Sequence, residues 1–236
     1  MEEITQAVSI KKKHIEKVDE GLKSYMLKVY NYMCLALIMT GLTAYGVSLS
    51  PELISLLFGT PFKWVVILAP LGFVFFLSAK IHSLDPAIAK IVFWIYSIVT
   101  GLSLSFVFLA YTGTSIAQIF FITAGAFAGL SLFGYTTKIN LGPIGAALTF
   151  VLIGLIIASI VNIFLGLALM QTVISLAGVV VFAGLTASDT QNIKNMYLDS
   201  DSVEDGDRKA ISGALSLYLS FMNLFILLLD LIGVRK

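Results

Sequence analysis

Long apolar runs separated by short polar segments dominate this chain of 236 residues. A helix needs about 20 mostly apolar residues to cross the hydrocarbon core of a bilayer. Seven stretches approach that length, and each predicts a membrane-spanning helix. They are residues 25–49, 64–79, 87–111, 115–134, 142–165, 172–186 and 211–233. The pattern therefore predicts an all-α integral membrane protein, a seven-transmembrane helix bundle.

Two of these stretches, 64–79 and 172–186, are short for a bilayer core. Their helices are expected to continue into polar sequence, toward Ile81 and toward Lys194 respectively. The second extension matters because it places Asp189 inside a helix near membrane depth, and not in a loop.

Lysine and arginine are distributed unequally between the two sides that seven crossings define. Twelve of the 15 lie on the side of the N-terminal segment, and three, Lys63, Arg235 and Lys236, lie on the other. Positive residues stay on the cytoplasmic side of a membrane. The distribution predicts a cytoplasmic N-terminus and an external C-terminus, and six or eight spans would break it.

The composition agrees with a membrane protein and excludes other classes. Hydrophobic residues make up 58% and charged residues 12%, whereas a soluble domain is about 25% charged. The net charge of +1 provides no basic field for nucleic acid. The single cysteine, Cys34, forms no internal disulfide and is expected to be a packed thiol. We predict a polar cytoplasmic tail at 1–24, a transmembrane domain at 25–236, and the lipid bilayer as the main partner.

Two charged segments lie outside the apolar runs. In the tail, Lys11, Lys12 and Lys13 are placed to lie on anionic lipid or simply in solvent. The connection between the sixth and seventh spans is acidic, which suggests calcium, but it lacks the EF-hand pattern. We therefore expect a solvated loop there. Its acidic members are Asp199, Asp201, Glu204, Asp205 and Asp207.

Ionisable residues at bilayer depth are costly and tend to mark function. Asp189 closes the sixth span and Asp230 lies near the outer end of the seventh. Ser216, Ser220, Asn223 and Asp230 recur at helical spacing, so they form a polar stripe that should face the bundle interior or water. Small polar residues also serve only to join helices, an alternative that covers most serines and threonines here but not easily Asp189.

Recognisable catalytic patterns are missing from the sequence. It contains no HExxH, GxSxG, GxxxxGK[ST] or GxGD motif. The histidines, His14 and His82, fall in the tail and in a short connection. Asp189 and Asp230 lie at opposite depths, so they do not form the facing pair of an intramembrane aspartyl protease. We expect no enzyme activity, no catalytic residue, no cofactor and no metal site.

Four segments carry a resemblance to a known family. They are SLFGYTTK at 131–138, GLIIAS at 154–159 with VNIF at 161–164, GLTASDTQNI at 184–193 and GALSLYLSFMNLF at 213–225. Together they resemble the Bax inhibitor-1 (transmembrane Bax inhibitor motif) family, bacterial branch. The match extends from the first span to the C-terminus, and the third and fourth segments are specific when taken together.

The resemblance implies a bundle with a central last helix and a pH-sensitive calcium leak. In such proteins two aspartates, on spans six and seven, share a proton and close the pore, because two adjacent carboxyl groups cannot both ionise. A basic residue on span two can pair with them. The other role described for the family is cytoprotective regulation through protein partners, including restraint of a membrane-bound protease in bacteria.

This chain departs from that pattern at the second acid. Asp189 matches the first aspartate, preceded by Ser188 where tyrosine is usual, whereas Ser220 occupies the place of the second. Asp230 stands where relatives usually have a basic residue, and it cannot replace the missing acid because ten helical residues span about 15 Å. Lys80 is the best match for the cation of span two.

Two functions remain open from the sequence. The first is a pH-sensitive calcium leak channel with a single-aspartate sensor, calcium being the permeant ion; Asp189, Ser220, Asn223 and Asp230 are its pore residues and Lys80 is a candidate ion-pair partner. The second is a non-conducting regulatory protein of the cytoplasmic (inner) membrane of a bacterium, which binds and restrains other membrane proteins such as a protease. If the family arrangement holds, Ser220 should face Asp189 and donate a hydrogen bond to it.

Overall fold

The computed structural model describes the backbone of residues 2–81 and 83–236 and the side chains of residues 19–81 and 83–236. This part of the chain folds into nine helices. They are α1 (Glu2–Ser48), α2 (Pro51–Phe58), α3 (Lys63–Lys80), α4 (Pro86–Leu104), α5 (Val107–Ala110), α6 (Gly113–Thr136), α7 (Gly142–Leu165), α8 (Ala168–Met196) and α9 (Val203–Ile232). The lysine triplet at 11–13 and both histidines, His14 and His82, lie outside the described side chains.

Seven helical segments of the described chain are long and apolar enough to cross a membrane, which confirms the predicted number. They are Asp19–Ser48, Lys63–Lys80, Pro86–Ala110, Gly113–Thr136, Gly142–Leu165, Ala168–Met196 and Val203–Ile232. We call the side where the first of these begins the amino-terminal face and the side where α9 ends the carboxyl-terminal face. The boundary placed between tail and first span, at residues 24 and 25, lies within the single helix α1.

The helix bounds differ from the apolar runs in three places. α8 continues to Met196, as expected, so Asp189 is helical. The third span is interrupted, because α4 ends at Leu104 and α5 begins only at Val107. The short helix α2, between the first two spans, was not predicted.

The acidic segment after the sixth span is largely exposed to solvent, as predicted, but it is a loop only up to Ser202 and is helical from Val203 onward. α9 begins directly after Ser202, whose Oγ accepts a hydrogen bond from the backbone N–H of Asp205 at 3.1 Å. A hydroxyl at this position satisfies a free N–H group, and acidic residues favour the positive end of the helix dipole. Asp207, whose side chain is partly exposed, forms an ion pair with Lys28 of α1.

α9 is the central helix, which confirms the expectation drawn from the family resemblance. It packs against α1, α4, α6 and α8. Tyr218 of α9 is fully buried, and its ring meets Phe93 and Tyr96 of α4 edge to face. Its hydroxyl forms a hydrogen bond with that of Thr40 on α1 at 2.7 Å. The contacts of this one tyrosine join three of the seven spans.

The outer surface of the bundle is apolar. Phe75 of α3, Phe121 of α6 and Phe164 of α7 have exposed fractions of 74%, 73% and 85%. Large apolar side chains can be this exposed without a cost in free energy when they face lipid and not water. Cys34 is exposed on this surface as well, so the expectation of a packed thiol is wrong.

Candidate functional site

A carboxylate on α8 meets a hydroxyl on the central helix. Ser220 Oγ donates a hydrogen bond to Asp189 Oδ2 at 3.0 Å, which confirms that Ser220 faces Asp189. Ser216 lies one turn earlier on the same side of α9. Asp189 is half-buried and lies seven residues before the end of α8, which is about 10 Å along the axis. We call Asp189, Ser216 and Ser220 the Asp189 cluster.

The four consecutive residues that begin at Ser188 direct their side chains to three neighbours: α9, α6 and the connection before α7. With 3.6 residues per turn, such a run covers the whole circumference of a helix. Ser188 donates to the carbonyl oxygen of Leu141, before α7, at 3.2 Å. Asp189 meets α9, and the hydroxyl of Thr190 lies 2.9 Å from that of Ser131 on α6. α8 is therefore enclosed by α6, α7 and α9 at the depth of the carboxylate.

The fourth residue, Gln191, holds the connection between α6 and α7. Its Oε1 accepts a hydrogen bond from the backbone N–H of Leu141 at 2.7 Å, and its Nε2 donates to the carbonyl of Ile139 at 2.8 Å. One turn further along α8, Lys194 donates to the carbonyl of Tyr135 at 2.8 Å. These side chains provide hydrogen-bond partners for backbone N–H and C=O groups that find none within the connection itself.

Two glycines allow the neighbouring helices to approach α8 at this level. A Cβ atom on Gly134 of α6 would lie 2.1 Å from the carbonyl oxygen of Ala187, and one on Gly145 of α7 would lie 2.1 Å from Ser188 Oγ. Both distances are far below van der Waals contact. The close approach fixes the position of the backbone that carries Asp189.

A second polar cluster lies at the opposite end of the α8–α9 pair. Asp230 Oδ2 accepts hydrogen bonds from Ser175 Oγ at 2.7 Å and from Gln171 Nε2 at 2.9 Å. Asp230 Oδ1 accepts one from Arg235 Nη2 at 3.1 Å. We call these four residues the Asp230 cluster. Unlike the Asp189 cluster, it contains a cation.

The predicted polar stripe on α9 is therefore divided in two. Asn223, in its middle, donates to the carbonyl of Leu219 in its own helix at 2.8 Å and joins neither cluster. Between the clusters, Gly178 of α8 lies against Leu227 of α9, whose Cδ1 would be 2.8 Å from an added Cβ. This part of the helix contact is apolar and tightly packed.

Lys80, the candidate ion-pair partner, is not brought to Asp189. Its side chain is exposed at the end of α3, which packs mainly against α4. Among the ion pairs of the side chains that the structure describes, none involves Lys80 or Asp189. Asp189 instead accepts a hydrogen bond from the hydroxyl of Ser220.

Comparison with known proteins agrees with this architecture. Residues 22–236 match the family described as inhibitor of apoptosis-promoting Bax1. The chain belongs to the Bax inhibitor-1 family. It is 45% identical to an uncharacterized protein of Rickettsia prowazekii over 92% of both chains. It is 42% identical to the inner membrane protein YbhL of Escherichia coli, over 92% of this chain and 94% of that protein. An uncharacterized protein of Caulobacter vibrioides is also 42% identical, over 93% and 92%.

The Bax inhibitor-1 segments at 184–193 and 213–225 are the two sides of the Asp189 cluster. Sequence reasoning found Asp189 and Ser220 through them but missed the roles of Gln171 and Gln191. Both glutamines lie in long helices of apolar character, and a polar amide there signals a partner on another segment. That signal was available, although the identity of the partners was not.

Proposed function

We propose that this Bax inhibitor-1 family protein is a calcium-permeable leak channel whose path follows the contact between α8 and α9. The hydrogen bond between Ser220 and Asp189 carries the proposal. It places an ionisable group at membrane depth against the central helix, where such groups mark ion pathways. In this proposal the packed contact of Gly178 with Leu227 closes the path.

The sensor in this proposal has a single acid. The hydroxyl of Ser220 stabilises the charged carboxylate of Asp189 by hydrogen bonding, and because residue 220 is serine, α9 brings no second carboxylate there to force a shared proton. Closure therefore depends on helix packing more than on proton sharing. We expect a leak that varies less steeply with pH than that of a protein with two facing aspartates.

Calcium flux into liposomes tests this function. Purified protein reconstituted around a calcium-sensitive dye should give a leak above that of empty liposomes, and Asp189→Asn should remove most of its pH dependence. Asparagine keeps the shape of the side chain and can still accept the hydroxyl of Ser220. A flux equal to that of empty liposomes, or an unchanged pH profile in the variant, would contradict the proposed channel.

The proposed location is the cytoplasmic membrane of a bacterium, with the amino-terminal face in the cytoplasm. The excess of lysine and arginine on that face supports it. In a Cys34→Ser background, Gly113→Cys should react with an impermeant thiol reagent outside intact cells, and Asn140→Cys should not. Both positions are exposed, Gly113 at the start of α6 and Asn140 just after its end, so a spanning α6 separates them. Outside labelling of residue 140 would reverse the orientation.

The second candidate is a non-conducting regulator that restrains another membrane protein, such as a protease, without catalysis or a cofactor of its own. Serine in place of the second acid favours it. So does α7, of which only Gly145 and Asn162 are buried, so that almost its entire length can meet a partner helix. A protein that gives no flux but binds and restrains such a partner in cells would establish this function.

A further inference from the structure

The last four residues, 233–236, form a strap across the carboxyl-terminal face. The carbonyl of Val234 accepts a hydrogen bond from the N–H of Thr112 at 3.0 Å, and the N–H of Lys236 donates to the carbonyl of Ala110 at 3.0 Å. Together they make an antiparallel bridge between Tyr111 and Arg235. The strap ties the end of the central helix to the connection between the third and fourth spans.

The strap places one guanidinium on the Asp230 cluster. The side chain of Arg235 is 68% exposed, whereas that of Asp230 is 22% exposed. The guanidinium also lies over the ring of Tyr111, 5.7 Å from its centroid. A carboxylate set into the groove between two helices is thus neutralised by a cation that comes from solvent-exposed chain.

The two oxygens of the carboxylate have different partners. Oδ2 is held by Ser175, which is fully buried, and by Gln171, both on α8. Oδ1 receives only Arg235. If the guanidinium moves away, Oδ1 loses the donor that the described side chains give it and remains an anionic oxygen close to the hydroxyl of Ser175 and the amide of Gln171.

We propose that the Asp230 cluster is a divalent-cation site and that Arg235 is a tethered competitor occupying it in this structure. Calcium takes oxygen ligands from carboxylate, hydroxyl, amide and water. A double charge attracts Oδ1 twice as strongly as a guanidinium at the same distance. This site is separate from Asp189, and it would bind cations whether or not the protein conducts them.

One carboxylate makes a weak site. Among the described side chains, no three aspartate, glutamate, histidine or cysteine residues gather at any one point. With a single negative ligand the dissociation constant for calcium is expected to be about 1 mM or weaker, since affinity falls with the number of charged ligands. Such affinity suits a face that meets millimolar calcium.

Terbium luminescence tests the inference on the full chain in detergent. Terbium is a calcium analogue, and Tyr111 beside the guanidinium can sensitise it. Arg235→Gln should bind terbium about fivefold more tightly than the wild type, the size expected when an exposed ion pair is removed. Calcium should displace terbium and so reduce the luminescence. Calcium should also raise the midpoint of thermal unfolding, and this rise should be larger for Arg235→Gln than for the wild type.

The control variants separate a site from a general effect of charge. Lys236→Gln removes the neighbouring positive charge, which donates to the carbonyl of Phe108 and not to Asp230, and should change binding less than twofold. Asp230→Asn should abolish saturable binding, whereas Asp189→Asn should leave it intact. Equal effects of Arg235→Gln and Lys236→Gln, or terbium binding that survives Asp230→Asn, would overturn the proposed site. Neither result would bear on the leak through Asp189.

Discussion

The two ends of the α8–α9 contact each hold one aspartate, yet they stabilise it in different ways. Asp189 is half-buried and accepts a hydrogen bond from the hydroxyl of Ser220, at a contact between two helices. Asp230 receives a hydroxyl and an amide from α8 and, in addition, the guanidinium of a mostly exposed arginine on a terminal strap. A charge near water can be neutralised by an exchangeable cation, whereas one at membrane depth needs fixed dipoles.

The ends also differ in how firmly the backbone is held. Around Asp189, α6 and α7 approach α8 through Gly134 and Gly145, with backbone or a short side chain on the other side. Nearer Asp230, the close neighbour of Gly178 is the flexible end of Leu227. The Asp189 end should therefore be rigid and sensitive to small changes, and the Asp230 end should adapt.

Ser220→Asp should have the largest effect, because it turns the hydroxyl-bound acid into an acid pair. Two carboxyl groups about 3 Å apart cannot both ionise and must share a proton. We expect the variant to gain a pH-dependent calcium leak, low near neutral pH and changed by about tenfold toward acidic or alkaline pH. Liposome flux across a pH series measures it.

Asp189→Asn in the Ser220→Asp background is the matched control for that gain. It leaves one acid at the contact, so the steep pH dependence should disappear. Superimposable profiles of the wild type and Ser220→Asp would show that the two positions do not act together, and the regulatory function would then be favoured.

Gly134→Ala tests the rigid packing beside Asp189. The new methyl group would overlap the backbone of Ala187, so α6 and α8 must separate, at a cost of about 3 kcal/mol. Gly129→Ala on the same helix has nothing within 4 Å of its added Cβ and should be neutral or slightly stabilising. Thermal unfolding in detergent compares the two, and equal midpoints would refute the close contact.

Replacing Gln191 and Gln171 by leucine, one at a time, compares the Asp189 end and the Asp230 end of the α8–α9 contact directly. Gln191→Leu leaves the buried N–H of Leu141 without a partner and should cost about 2 kcal/mol. Gln171→Leu at the exposed Asp230 end should cost about 0.5 kcal/mol, since water can replace the amide. The free energies of unfolding in a mild denaturant series give both values. A larger loss of stability for Gln171→Leu than for Gln191→Leu would contradict the prediction that the Asp189 end is the more rigid one.

Lys28→Gln should have the smallest effect. Its ion pair with Asp207 anchors the start of the central helix, but the lysine side chain is 43% exposed. The loss is expected to be about 0.5 kcal/mol and to vanish at high salt, where exposed ion pairs are screened. Thermal midpoints at low and high ionic strength measure it. A salt-independent loss would mean that the pair acts through packing.

Much of the fold followed from the sequence alone. The lengths of the apolar runs were enough to predict the seven spans, because a segment that crosses lipid must hydrogen-bond its own backbone groups and therefore forms a helix. The short run at 172–186 was correctly expected to extend past Asp189, and the family segments placed Ser220 opposite it. Helix length depends on residues that are neighbours in the chain, and the placement of Ser220 depends on recognisable motifs. Both can therefore be predicted from a single sequence.

Tertiary structure decided which polar groups meet. Gln171 lies 59 residues from Asp230 in the chain, and the strap meets Thr112, which is also distant in sequence. Helical spacing put Asp230 on a stripe with Ser220, but the residues of α8 that each of them meets divided that stripe into two clusters. The sequence determined which residues must avoid lipid, because polar residues recur along a helix with the period of one face. Only the packing of the helices determined their partners, because a hydrogen bond forms between two groups whose relative position depends on how separate helices are arranged.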